Sequence, residues 1–340
     1  MSDRDIAIII PFFQRESGIL LRALNSVVGQ KLSAGTRVQI LVIDDNSPVS
    51  AASEIKGLVL PDNFALELVE QSNSGPGGAR NTGLDMLDPD KTEFIAFLDS
   101  DDVWTDDHLA LAIAGLGSEF DFFFCDHTRF NIDTTWFEDL ETTQDWKRNP
   151  DTYMTEISGL KQIYQIDNDL LFNGLLNECL SQTSTVVFRF SRHNQLRFDI
   201  EQRTAGEDHL FWLSLAKNSR ASVICMKENV FCGRGVNIYY EALEWTTAKV
   251  ADRYGYLVLF WVKAKEQFEL SRQQNAIIDR RLQRYTRAYG YLFIRFLSKR
   301  QFPSLPVAQK IFARDPLRIV LIPYYFLSVL PNRAAEAKTW

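Results

Sequence analysis

Long apolar runs are missing from this chain: among its 340 residues no stretch of 18 or more is continuously apolar, which excludes a bilayer-spanning helix. Internal repeats, low-complexity tracts and Pro/Ser-rich linkers are missing too. The chain therefore holds one large domain, or two that meet at a packed joint near residue 240. Cysteine is scarce: Cys125, Cys179, Cys225 and Cys232 form no Cys-x-x-Cys pair and have no histidine at zinc-ligand spacing, so they read as reduced core thiols of a cytosolic protein. The opening Met1-Ser2-Asp3-Arg4-Asp5 is charged and leads straight into a strand, which argues against a signal peptide. Histidine occurs four times, and never after His209.

What is present is ordinary in bulk and uneven in distribution. A hydrophobic content of 46% with a charged content of 24% is that of a soluble globular chain, not of a disordered or fibrous one. Residues 271–340 carry 13 Lys and Arg against 3 Asp and Glu, leaving 24 against 41 over residues 1–270. A basic end on an acidic body predicts that the end meets something anionic, either phospholipid or a pyrophosphate-bearing partner.

The apolar pattern predicts an α/β architecture. Ile6 to Ile10 is a buried strand whose pairing is expected to stop at Pro11. Ile19, Leu20, Ala23, Leu24, Val27 and Val28 recur at helical spacing, with Gly29 as the stop. Val38 to Ile43 is a second buried strand that ends in Asp44-Asp45-Asn46-Ser47-Pro48. A weak helix near residues 50–56, an alternating strand at 66–70 and further strands at 120–125, 183–190 and 221–226 follow, with a short helix at 174–180. Residues 126–169 are polar and poorly periodic and read as an excursion over the sheet edge carrying acceptor contacts. Short strands alternating with helices imply a mostly parallel sheet, whose ligands gather at the carboxyl ends of its strands. From about Glu244 to Leu297 the chain is helical. It closes on Ile319 to Leu327, an apolar, aromatic segment between Arg314 and Arg318 on one side and Arg333 on the other. That segment reads either as a core helix kinked at Pro323 or as a segment lying in the headgroup plane.

The densest chemistry is Phe94-Ile95-Ala96-Phe97-Leu98-Asp99-Ser100-Asp101-Asp102-Val103-Trp104. Five apolar residues read as a strand buried on both faces, and three carboxylates begin where it leaves the sheet. Such acids repel one another, and a hard divalent cation relieves them by taking one or two carboxylates and filling its other sites with phosphate oxygens. Asp-x-Asp alone is common: Asp88-Pro89-Asp90 reads as a turn and Asp167-Asn168-Asp169 as a polar connection. The preceding strand singles out Asp99 and Asp101.

Two further stretches carry candidates. Asn73 to Leu84 contains a glycine-rich turn feeding a helix, which offers backbone N–H groups to an anion. It is no dinucleotide fingerprint, which would want glycine where Arg80 stands, and no P-loop. A plain tight turn explains its glycines equally well, while Arg80 favours phosphate or base contact. Glu207 and Asp208 open another helix; acids there stabilise the macrodipole by about 0.3–1 kcal/mol. One acid would suffice, so the second is a candidate base wherever burial or its neighbour raises its proton affinity.

Four blocks stand in order: Ile8 to Glu16, Val42 to Ser47, Gly78 to Leu84 and Phe97 to Asp102. Together they resemble the family 2 glycosyltransferases of the GT-A fold, most closely the bacterial glucosyltransferases that build succinoglycan-type exopolysaccharide on a lipid carrier. The resemblance covers roughly residues 5–240 and implies a Rossmann-like, mixed but mostly parallel sheet flanked by helices for a domain over 1–240, while residues 241–340 read, from their own charge and apolar pattern, as a helical, basic extension suited to a membrane surface. It implies a UDP-sugar donor, glucose being the expected sugar, and a lipid-linked oligosaccharide acceptor. It further implies a cytoplasmic location peripheral to the inner membrane face, and no nucleic-acid partner. Carried over by residue, Asp101 becomes the ligand of Mn²⁺ or Mg²⁺, with Asp99 near the ribose or a metal-bound water. Pro11, Phe12, Glu16, Asp44, Asp45, Arg80 and Ser100 join Asp99 around the nucleotide, and the Glu-Asp pair falls on Glu207 and Asp208, with Asp208 the base. The histidine that many GT-A enzymes give the metal has no counterpart after His209, so Arg234 or water is expected in its place.

Two other readings fit parts of the pattern. A nucleotidyltransferase also sets strand-end acids against a metal and a nucleotide, but it wants a basic, glycine-rich N-terminal loop, and residues 11–18 offer only Arg15. A phospho-acceptor switch domain would use Asp44, Asp45 and Asp99 with Lys227, yet the chain is nearly three times too long for one.

Overall fold

The computed structural model describes residues 5–234 and 247–332, and the chain divides into two compact units. The first is Met1–Ile200 with Phe211–Val236, and the second is Glu201–Leu210 with Asn237–Trp340. The expected helix start at Glu244, the joint expected near residue 240, and Arg333 lie outside the described residues.

The first unit is built on a sheet that, among the described residues, has ten strands in the order β3-β2-β1-β4-β9-β6-β10-β8-β7, with β5 on β10. The strands are β1 (Asp5–Phe12), β2 (Arg37–Asp44), β3 (Phe64–Glu70), β4 (Phe94–Phe97), β5 (Val103–Trp104), β6 (Phe122–Arg129), β7 (Met154–Glu156), β8 (Ile163–Ile166), β9 (Val187–Arg189) and β10 (Ser222–Cys232). β3, β2, β1 and β4 run parallel, so the ends of β2 and β4 share one edge with both acidic clusters. β9 runs antiparallel between β4 and β6, which makes the sheet mixed.

Pro11 does not stop the pairing of β1. Pro11 and Phe12 pair with Ile43 and Asp44 of β2, whereas the ladder with β4 ends at Ile9. Alternate residues of a central strand address opposite neighbours. The Ile9 carbonyl accepts from Leu98 and the Phe12 carbonyl from Asp45, so the missing N–H of Pro11 falls on the side that β4 has already left.

Helices cover the sheet: α1 (Ile19–Val28), α2 (Ala51–Ile55), α3 (Gly75–Asp85), α4 (His108–Leu116), α5 (Trp136–Asp139), α6 (Glu141–Arg148), α7 (Pro150–Tyr153), α8 (Asn168–Asn177), α9 (Phe190–His193) and α10 (Glu207–Asn218). α1 buries Leu20, Ala23, Leu24 and Val27 of the periodic set, while Ile19 and Val28 at its two ends are half-buried. Its first amides are met by Glu54, which accepts from Gly18 and Leu20 at 2.8 Å each.

Several expectations need correction. β6 runs on to Arg129 because Asp126 and His127 are buried polar residues that break the apolar run without breaking the strand. The excursion after it holds three short helices and the β7–β8 hairpin. The helix expected at 174–180 occupies Asn168–Asn177, capped by Asp167, whose carboxylate accepts from the Asp169 and Leu170 amides. Cys125 and Cys225 are buried, but Cys179 is exposed and is no core thiol.

In the second unit the helical stretch is two helices, α11 (Lys249–Gln267) and α12 (Arg272–Ser298), because Ser271 and Gln274 form a capping box that starts the second. They pack closely at Gly255, where a β-carbon would stand 2.9 Å from the Tyr289 ring. α13 (Leu305–Arg314), α14 (Pro316–Val320) and α15 (Ile322–Val329) follow. Pro323 sits in the first turn of α15, where its missing N–H is harmless, so it opens a helix instead of kinking one. Among the described residues no helix is long and apolar enough to cross a membrane.

Candidate active site

β4 carries the acids to the sheet edge. Phe94, Ile95, Ala96 and Phe97 are all buried, so the strand is fixed on both faces up to the residue before Leu98. The chain then turns, the Asp102 amide donating to the Asp99 carbonyl at 3.0 Å. Inside the turn Ser100 is buried, its Oγ accepting from the Gln14 amide group at 3.0 Å.

The three carboxylates have different surroundings. Asp99 Oδ1 accepts from Arg80 at 2.6 Å and Oδ2 from Gln182 Nε2 at 3.2 Å. Asp102 is buried and accepts from Ser184 Oγ at 2.6 Å, Gln182 Nε2 at 2.9 Å and the Gly233 amide at 2.9 Å. Burial, and then the charges of Asp101 and Asp99, nevertheless hold its proton affinity well above the usual carboxylate range. Asp101 is pushed up from 3.8 to about 6 by burial and then by Asp99, with Arg22 opposing the shift. Three carboxylates thus crowd one turn, and burial raises the proton affinity of Asp101 and Asp102 more than their mutual repulsion does.

These are hard oxygen donors, and among the described residues no group of three or more His, Cys, Asp or Glu side chains is arranged to hold a metal ion, so a cation here would take most of its ligands from outside the chain. A donor set of this kind suits Mg²⁺ or Mn²⁺, which keep several sites for water and substrate phosphate. Gly233 closes the turn from β10: a β-carbon there would lie 2.0 Å from the Asp101 carbonyl oxygen, so this approach is open only to glycine. Arg234, expected to offset diphosphate charge, follows it and is exposed.

The other candidates from the sequence are placed as follows. Asp44 and Asp45 end β2 beside β1, both buried. Asp44 accepts from the Ser47 and Ala51 amides, at 2.8 and 2.9 Å, and so anchors the start of α2. Asp45 accepts from Gln71 Nε2 and the Ser74 amide at 2.7 Å each, and from the Gly75 amide at 2.8 Å. The amides expected to cradle an external anion at the start of α3 therefore hold this chain's own carboxylate. The glycines of that block lie within α3 and set its packing: a β-carbon on Gly83 would stand 2.7 Å from Ile9. Arg80, expected beside the nucleotide in phosphate or base contact, is buried, lies over the Phe198 ring at 5.2 Å and is directed at Asp99. Pro11 is half-buried, Phe12 fully buried and Glu16 exposed on the loop after β1. Glu207 and Asp208 open α10 and belong to the second unit, where Asp208 Oδ1 accepts from the His209 amide at 2.7 Å.

Gln182, Ser184, Gln14 and Gly233 escaped the sequence reading. Nothing marks Ser181-Gln182-Thr183-Ser184 chemically; its role comes from β9 lying beside β4, which orders the preceding turn against Asp99 and Asp102.

Comparison with known proteins bears on the family and the fold. Residues 7–174 match the profile described as "Glycosyl transferase family 2". Over 250 residues the chain is 33% identical to succinoglycan biosynthesis protein ExoW of Rhizobium meliloti, covering 69% of this chain and 70% of that one. It is 27% identical over 225 residues to the Escherichia coli UDP-Glc:α-D-GlcNAc-diphosphoundecaprenol β-1,3-glucosyltransferase WfgD, covering 66% of this chain and 74% of that one. Among solved structures, S. aureus TarS 1–349 in complex with UDP-GlcNAc superposes with a TM-score of 0.58 at 16% identity, over 96% of this chain and 88% of that one, a likeness of fold.

Proposed function

The chain belongs to glycosyl transferase family 2 and is a glycosyltransferase of GT-A fold, and from that premise we propose that it transfers glucose from UDP-glucose to a lipid-linked oligosaccharide. The reaction forms a β-glycosidic bond in the assembly of a succinoglycan-like exopolysaccharide at the inner face of the cytoplasmic membrane. The observation that carries this reading is the crowding of Asp99, Asp101 and Asp102 at the end of β4, on a turn fixed by Gln14, Gln182, Ser184 and Gly233. WfgD, whose name states a UDP-Glc donor and a diphosphate-linked lipid acceptor, supports the donor and acceptor class. ExoW supports the pathway.

Asp101, with Asp99 beside it, would hold Mn²⁺ or Mg²⁺. When bound, such a cation supplies positive charge where the leaving nucleoside diphosphate gathers negative charge. Pro11, Phe12 and Glu16 at the end of β1, with Asp44 and Asp45 at the end of β2, frame the uridine, Phe12 through its backbone. Arg80 and Ser100 act from behind, by fixing Asp99 and the turn. The acceptor hydroxyl is hardly acidic, so Asp208, with Glu207 beside it in sequence, takes its proton as the oxygen attacks the sugar carbon. The new bond joins acceptor oxygen to that carbon, the bond from carbon to phosphate oxygen breaks, and UDP departs with the electron pair. One base and no enzyme nucleophile give a single displacement, hence inversion of an α-linked donor.

The test is UDP release and glycoside formation from UDP-glucose with manganese and a lipid-pyrophosphate oligosaccharide. Asp101→Ala and Asp208→Asn are each expected to lose about 10²-fold or more in rate. Wild-type rates in both would overturn the assignment.

A further inference from the structure

The last helices of the second unit turn an apolar face outward. α15 buries Ile322 and Val329, one heptad apart, and lies against α12, where Tyr291 stacks on Phe326 at 5.7 Å. Its opposite side exposes Tyr324 and Leu327, each 63% accessible, and the preceding α14 exposes Leu317 at 67% and Val320 at 61%. A surface helix ordinarily puts charged or polar residues in these positions. From Pro316 to Pro331 the only charged side chain is Arg318, and it is engaged by Asp315 at 2.7 Å.

Cations flank this face. No acid occurs between Asp279 and Asp315, while nine Lys and Arg do. Lys310 and Arg314 are turned to Glu201 within the unit, but Lys299 and Arg300 are exposed. Tyr291, Arg295 and Lys299 follow one another at four-residue spacing along the end of α12 and its C-cap. Residues four apart share a helix face, and the Tyr291 stack on Phe326 sets that face beside α15.

We propose that α14 and α15, with the basic row of α12, dock this protein onto an anionic lipid surface, lying in the headgroup plane. Tyrosine and aliphatic side chains suit the interface, and the flanking Lys and Arg suit lipid phosphates. A second copy of the chain is a poorer occupant, because a two-fold contact would bring the same cations against each other. Docking deepens the reading of a lipid-linked acceptor, but it is measured without any sugar transfer.

The experiment is co-sedimentation of the full chain with vesicles of phosphatidylcholine alone, or with one quarter phosphatidylglycerol, at low and high salt. The protein is expected to favour the anionic vesicles by about tenfold or more and to lose that preference in high salt. Leu327→Glu should lower binding about tenfold with an unchanged thermal midpoint, because the side chain is exposed, while the same change at exposed Val59 in the first unit should leave binding alone. Equal partition to both vesicle types, or wild-type binding by Leu327→Glu, overturns the proposal. So does a concentration-dependent dimer, seen by ultracentrifugation, that Leu327→Glu dissolves in a protein that ignores vesicles. Failed sugar transfer with vesicle binding intact counts against the proposed reaction alone.

Discussion

Replacing Asp101 by Asn in the metal-free protein should stabilise it at neutral pH and do almost nothing in acid. The carboxyl is pushed from 3.8 up to about 6 by burial and by Asp99. Between those values the folded chain binds more protons than the unfolded one, so the stability that Asp101 contributes is full below about pH 4 and is lost as pH rises through about 6. At about 1.4 kcal/mol per pH unit this amounts to a penalty of up to about 3 kcal/mol at pH 7, a ceiling because Asp102 shares the same repulsion. Asparagine is neutral at every pH and escapes the penalty. Urea unfolding followed by tryptophan fluorescence, in chelator and at steps between about pH 4 and pH 7, should show the gap between variant and wild type opening across that window. Manganese should then raise the stability of the wild type at pH 7 and leave the variant where it was. A gap of the same size at both ends of the pH range would refute the idea that Asp101 carries uncompensated charge.

Other substitutions separate the turn from the fold around it. Gln182→Ala removes a donor from both Asp99 and Asp102, and should lower stability by about 1–3 kcal/mol in denaturant titrations while raising the manganese concentration needed for half-maximal transfer. Gly233→Ala forces a β-carbon against the Asp101 carbonyl and should cut the transfer rate about 10²-fold, with the circular dichroism spectrum retained. Gly83→Ala crowds Ile9 behind the sheet edge and should lower the unfolding midpoint, by about 1–3 kcal/mol in stability, with the KM for the sugar nucleotide unchanged.

Where apolar residues repeat without interruption, the fold was legible in the sequence. α1 was found residue for residue because its buried set keeps helical spacing, and the first strands were found because they are buried on both faces. Strands of three or four residues such as β7 and β8 carry no such pattern, being too short to show a period, and the strand read at 183–190 shrinks to β9, after a 3-10 turn at Thr183–Thr185. The acids of the β4 turn stood out for the same reason as the strand before them. The side chains that hold them did not: Gln182 and Ser184 are distant in sequence and chemically plain, and only sheet topology brings them to Asp102. Asp45 shows the converse, a conspicuous acid whose hydrogen bonds go to amides at the start of α3.

Calorimetric titration of UDP into the full chain, with manganese and with chelator, tests the central claim most directly. The account predicts that wild-type protein binds UDP at least about tenfold more tightly with the metal present, and that Asp101→Ala loses this gain. Equal affinity with and without manganese, or a gain that survives in Asp101→Ala, would contradict it.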